Sequence, residues 1–212
     1  LVAEGFARAL WVTGASDRHA SQRAALEAAG FELVPVRVGH EPSVRDAREA
    51  TALAREAEVA LVVALGGGSA IDLGKAVAAL APSDGDPFDY LEGGGSSLDA
   101  AKLVALLAPG REALKQVYGV GKAAGPRLPL ILVPTTAGTG SEVTKNAVLA
   151  ALESRVKVSL RSDAMLPRIA LVDPELTWSV PRDVTAATGM DALVQVIEPF
   201  VSHAATPMTD AI

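Results

Sequence analysis

The chain has 212 residues, 50% of them apolar and only 4% aromatic, with 19 basic against 25 acidic side chains and a formal charge of −6. That charge argues against the basic footprint of a nucleic-acid binder, and the absence of cysteine rules out a disulfide framework or a thiolate zinc site. No apolar run reaches the roughly 18 residues of a membrane helix, so neither a nucleic acid nor a membrane is expected as a partner. A cysteine-free chain is compatible with a reducing compartment, and a cytoplasmic setting is expected.

A core of Ala, Val and Leu suits helices packed on a parallel sheet. Residues 7–13 (ARALWVT) read as a buried strand, and residues 16–29 as a helix with Gly30 placed to stop it. Residues 31–38 read as a second strand and 42–57 as a helix with Ser43 as its N-cap. Residues 59–65 (VALVVAL) form a continuous apolar strand that feeds into Gly66-Gly67-Gly68-Ser69 and a helix to about Leu80. A further apolar strand, 128–133, ends in Pro134-Thr135-Thr136-Ala137-Gly138-Thr139-Gly140-Ser141-Glu142. Short strands are expected over 143–149, 156–160 and 169–172. Beyond Pro181 the pattern turns helical, with Asp183 as N-cap and a helix over 184–197. The alternation predicts an α/β fold, a Rossmann-like doubly wound and mostly parallel sheet over residues 1–182. An all-α domain is expected to begin at 183–212. The sequence opens at Leu1 near a strand and stops at Ile212 inside a helical pattern, so it reads as a fragment.

The glycine phrase occurs twice. GGGSAIDLGKAVAALAP spans 66–82 and GGGSSLDAAKLVALLAP spans 93–109, agreeing at 11 of 17 positions. Solenoids need about three or more units, so a local duplication is the better reading. Three glycines and a serine opening a helix form a phosphate cradle, because backbone N–H groups and the positive dipole end lie open to an anion. The first copy follows a strand, which aims those N–H groups off the carboxyl edge of a sheet, where α/β ligands sit. The second follows Asp89-Tyr90-Leu91-Glu92, which is no strand. The phosphate site is therefore assigned to the first copy. The competing reading of either copy is a tight turn or surface helix without a ligand.

The loop after residue 133 adds hydroxyls from Thr135, Thr136, Thr139 and Ser141, threaded with Gly138 and Gly140. Such groups suit ribose and phosphate oxygens, although Ser and Thr also cap their own turns. Taken together, GGGSAIDLGKA, LPLILVPTTAGTGSEVT and ATGMDALVQVIEPFVS resemble the iron-dependent (group III) alcohol dehydrogenase family. The resemblance spans nearly the whole chain and rests above all on PTTAGTGSE. It covers the nucleotide-binding part and the first helix of the metal-binding part.

The resemblance implies an NAD- or NADP-dependent, metal-dependent oxidoreductase that interconverts small alcohols with aldehydes or ketones. Its metal would be Fe2+ or Zn2+ in a full-length member, and family members are commonly dimers or larger. By position it assigns Gly67, Gly68 and Ser69 to the cofactor pyrophosphate, with Thr135, Thr136, Thr139 and Thr144 beside it. Val148 and Lys157 fall near the nicotinamide half. Read alone, Lys157 is simply a solvated lysine on a strand. Asp191 matches the first of four metal ligands, one aspartate and three histidines. Related polyol dehydrogenases and maleylacetate reductases share the architecture and rank lower, because their counterparts of PTTAGTGSE differ. A non-catalytic nucleotide-binding remnant is the alternative from another class.

Three positions depart from the pattern. The second ligand should stand four residues after Asp191, one turn along the same helix face, and this chain has Gln195 there. An amide oxygen is a poorer ligand for iron or zinc than an imidazole, so the site is expected to be incomplete. None of His19, His40 and His203 falls on a ligand position. Gly14 ends the first strand where an acidic side chain would receive the adenosine ribose, so weak discrimination against NADP is expected. Glu41 precedes Pro42 where the family often has asparagine. Pro199 is expected to kink or end the metal helix.

Overall fold

The computed structural model describes residues 5–82, 127–152 and 156–210. The second glycine phrase lies outside them. Strands β1 (Arg8–Gly14), β2 (Glu32–Val38), β3 (Leu61–Gly66), β4 (Leu130–Pro134) and β7 (Ile169–Ala170) form a five-stranded sheet in the order β2-β1-β3-β4-β7. Every pairing in it is parallel. Strands β5 (Asn146–Ala151) and β6 (Val156–Arg161) form a separate antiparallel pair. The helices are α1 (Ala20–Ala28), α2 (Val44–Glu56), α3 (Gly68–Leu80), α4 (Arg182–Val201) and the short α5 (Pro207–Asp210). The expected doubly wound parallel sheet is therefore present.

Period-two alternation divides the central strands between two cores. Leu10, Val12, Val62, Ala64 and Leu132 face one way and pack with α2 and α3. Ala9, Trp11, Leu61, Val63 and Leu65 face the other way, with Leu26 of α1 against them. Burial on both faces explains why these strands read as unbroken apolar runs. The α2 N-terminus has a capping box, with Asp46 N–H donating to Ser43 Oγ at 3.1 Å and Ser43 N–H to Asp46 Oδ2 at 2.7 Å. Reciprocal satisfaction of two orphan donors fixes where the helix starts.

Gly74 sets the closeness of α3 to the sheet. A Cβ on it would stand 2.6 Å from the Ala64 Cβ of β3. The equivalent place in the second phrase holds Ala101, so only the first phrase carries the hydrogen side chain that this seat requires. Gly74→Val is expected to destabilise the fold by about 1–3 kcal/mol through overpacking. A lowered urea midpoint with an unchanged m-value would show it.

Several elements differ from expectation. Helix α1 begins at Ala20 rather than residue 16, because Ala20 N–H closes a turn on Asp17 C=O at 3.1 Å. Gly30 does stop it, at φ 91°. The strand expected over 143–149 runs instead from Asn146 to Ala151, because Gly140 turns the chain at φ 62° into a 3-10 turn over Ser141–Val143. β7 is only two residues long, although Leu171 N–H still reaches Leu132 C=O at 2.8 Å. The N-cap of α4 is Pro181, whose carbonyl accepts from Thr185 N–H at 2.9 Å. Asp183 lies inside the first turn instead, where its charge meets the positive dipole end. Pro199 lies within α4, and the helix ends two residues later at Val201.

Candidate functional site

The chain leaves β1 toward β2 on one side of the sheet and leaves β3 toward β4 on the other. The carboxyl ends of β1 and β3 therefore flank a topological switch point, the usual crevice for a ligand in such sheets. Gly14 and Gly66 meet there. A Cβ on Gly66 would come within 2.7 Å of the Ala70 Cβ and 3.6 Å of the Gly14 nitrogen. Gly67 is the N-cap of α3, and no side chain caps that end. The first turn of α3 thus presents backbone N–H groups and its dipole to the crevice. A Cβ on Gly68 would meet nothing within 4 Å.

The hydroxyl loop enters the same place from β4. Thr135 N–H donates to Gly66 C=O at 3.0 Å and continues the β3–β4 pairing into the turn. Thr136 lies beside the glycine turn, its Cγ2 3.5 Å from where a Gly67 Cβ would be. The hydroxyl of Thr139 accepts from Ser141 N–H at 3.2 Å and is thus engaged within its own loop. On the far side Gly138 rests on α4, where a Cβ would fall 2.9 Å from both the Cβ and the carbonyl oxygen of Thr188. A cavity of about 300 Å³ separates loop from helix, lined among others by Thr139, Gly140, Gln195 and Pro199.

Behind the loop lies a buried polar group that sequence reasoning missed. Lys75 of α3 is fully buried. Its Nζ donates to Ser141 Oγ at 3.0 Å, Thr144 Oγ1 at 3.0 Å and Asn146 C=O at 2.8 Å. Ser141 Oγ in turn donates to Asp72 Oδ1 at 2.8 Å, and Asp72 Oδ2 accepts from Val148 N–H at 3.1 Å. Burial lowers the Lys75 pKa to about 8, opposed by the charges of Asp72 and Glu142. Burial likewise raises the Asp72 pKa, opposed by the bonds from Ser141 and Val148 and by Lys75. One signal was available: Asp and Lys three residues apart recur in both phrases, as Asp72 and Lys75 and as Asp99 and Lys102.

The structure thus gathers Gly14, Gly67, Thr135 and Thr136 at one sheet edge and ties Thr144 and Val148 to the polar group behind it. Lys157 is exposed and pairs with Glu41 at 2.8 Å, which links β6 to the connection before α2. Asp191 and Gln195 stand one turn apart on the exposed α4, as their spacing predicts, with Gln195 Nε2 donating to Asp191 Oδ2 at 3.2 Å. The amide therefore turns its nitrogen, not its oxygen, to the carboxylate. Among the described residues no three His, Cys, Asp or Glu side chains form a group that could hold a metal. The residues present do not by themselves fit an iron or zinc site. His203 is exposed.

This arrangement defines a Rossmann-like α/β domain with a glycine turn and a hydroxyl loop at its switch point. The chain belongs to the iron-containing alcohol dehydrogenase family, whose model matches residues 1–92 and 92–174. The two matched stretches meet at Glu92, the residue before the second glycine phrase.

The long-chain-alcohol dehydrogenase 1 of Geobacillus thermodenitrificans is 41% identical over 172 residues, 81% of this chain and 37% of that protein. The 4-hydroxybutyrate dehydrogenase of Cupriavidus necator is 37% identical over 94% of this chain and 45% of its own length. Among solved structures, a 1,3-propanediol oxidoreductase superposes with a TM-score of 0.78 at 32% identity, covering 98% of this chain and 48% of that one. The sulfoacetaldehyde reductase of Bifidobacterium kashiwanohense, solved in complex with NAD+, gives 0.75 at 33% identity over 99% of this chain and 50% of that one. The chain spans half or less of the length of each of these relatives.

Proposed function

We propose that this chain is the nucleotide-binding part of an NAD(P)-dependent oxidoreductase that interconverts small alcohols with aldehydes or ketones in the cytoplasm. One observation carries the reading: an uncapped helix N-terminus and a threonine loop converge on the switch point of a parallel sheet. Gly67, Gly68 and Ser69 would hold the pyrophosphate through backbone N–H groups, and Thr135 and Thr136 would lie against it. Gly14 would face the adenosine ribose. Residues 1–182 form the dinucleotide domain in this reading, and 183–212 open a helical one. The cofactor supplies hydride chemistry when bound; the protein binds and orients it.

No catalytic step is assigned to Asp191, because among the described residues it belongs to no group of three or more His, Cys, Asp or Glu side chains that could hold a metal. The bond between Asp191 and Gln195 favours a second reading for this stretch, a nucleotide-binding unit without turnover of its own. Residues 1–212 are expected to bind NAD or NADP while showing no measurable oxidation of ethanol or propanediol with added iron. Calorimetry and a nicotinamide absorbance assay measure the two properties separately. Clear metal-dependent turnover would overturn the reading of Gln195, and failure to bind either dinucleotide would overturn the nucleotide reading.

A further inference from the structure

We propose that Lys75 is a positioning residue for dinucleotide binding, its buried ammonium pinning the 135–144 hydroxyl loop and the start of β5 onto α3. The inference rests on the nucleotide reading above and assigns a role to a residue that would not touch the ligand.

The loop needs such a pin. Between Thr135, which still bonds to Gly66 of β3, and Lys145, whose carbonyl accepts from Ser162 N–H, it belongs to no strand, and Gly138 and Gly140 give it backbone freedom. A loop ordered only on binding would spend affinity on that ordering. Lys75 removes the freedom beforehand by holding three oxygens spread over Ser141, Thr144 and Asn146. Three N–H donors meet three acceptors, which only the ammonium form can do. Ser141 sits between Lys75 and Asp72 and links the cation to a carboxylate that also holds Val148 N–H. An apolar side chain would fill the same volume without the cost of burying a charge. What the lysine adds is a defined geometry for the loop.

The charged groups around Lys75 are few. Asp72 stands on its own helix and Glu142 on the loop, and both favour the charged form. Glu41 acts on Asp72 and is paired with Lys157 of β6. Lys145, between Thr144 and Asn146, is paired with Asp163. With its pKa near 8, Lys75 changes charge at a pH where the fold can still be studied.

Pinning and mere structural support predict opposite pH trends. For stability, the folded pKa of about 8 lies below the ordinary 10.5, so the unfolded chain binds more protons between them. The Lys75 contribution to stability therefore rises with pH across that window and is lost as pH falls through 8. For binding, deprotonation removes one of three donors and loosens the loop, so affinity falls over the same window.

The test is calorimetric titration of NAD into the full chain from pH 7 to 9.5, beside thermal melts, for wild type and Lys75→Met. Wild-type affinity is expected to fall about tenfold, the equivalent of one hydrogen bond in the loop. Lys75→Met should bind at least about tenfold more weakly at pH 7 and show no pH trend. A wild-type profile that is flat, or a Lys75→Met protein with wild-type affinity, overturns the positioning role while leaving the nucleotide reading intact. No NAD binding by wild type at any pH overturns both. Should Lys75→Met fail to fold, Thr144→Val removes one of the three acceptors while keeping the side-chain shape. It is expected to weaken NAD binding about threefold to fivefold, and an unchanged affinity counts against the proposal.

Discussion

Replacing Gly67 with valine is expected to lower NAD affinity by at least about 100-fold, the equivalent of losing two or more backbone contacts to an anion, without unfolding the protein. The conformation at Gly67 is ordinary, with φ −75°, and a first carbon there would meet Thr136 at 3.5 Å, which is normal contact. The substitution should therefore be tolerated by the fold. The space it takes is the approach of a phosphate to the uncapped N-terminus of α3, where distance governs the interaction with N–H groups and dipole. Calorimetry reads the affinity and a thermal melt confirms folding. Gly94→Val, the same change in the second phrase, is expected to leave affinity unchanged. If the Gly94 change alone abolishes binding, the wrong copy has been assigned the cofactor.

Gly14→Asp is expected to turn a chain that tolerates both dinucleotides into one that prefers NAD by about 10- to 100-fold. The end of β1 has room, since a Cβ on Gly14 would meet nothing within 4 Å. An aspartate there could accept from the ribose hydroxyls of NAD, and it would repel the 2′-phosphate of NADP. Two charges about 4 Å apart interact by roughly 4 kcal/mol at a surface-like effective dielectric, before screening. A preference of about 1.4–2.8 kcal/mol is thus within reach. Titrating wild type and variant with each cofactor checks it. A strong NAD preference already present in wild type would remove glycine from the argument.

Much of this protein was legible from residue order. The unbroken apolar runs around β1 and β3 announced strands buried on both faces, because a parallel sheet covered by helices has no wet side. Ser43 and Gly30 marked helix ends through local chemistry that needs no tertiary contact. The spacing of Asp191 and Gln195 placed both on one helical face, since four residues make about one turn. The strand before Gly66 favoured the first glycine phrase over the second.

What residue order could not supply was partnership at long range. Gly74 reads as an unfavourable helix residue until α3 is laid on Ala64, 2.6 Å from where its Cβ would be. Thr139 and Thr144 read as ligand hydroxyls, yet both are engaged within the fold, one with Ser141 N–H and the other with Lys75. Nothing in the residue order singles out Lys75, and only the crossover from α3 to a loop 66 residues away makes it the most buried cation described. Local chemistry determined which elements form and where they stop, because caps, turns and periodicity act within a few residues. The tertiary structure decided which polar groups remain free for a ligand, because that depends on neighbours the chain brings together only after the sheet has closed.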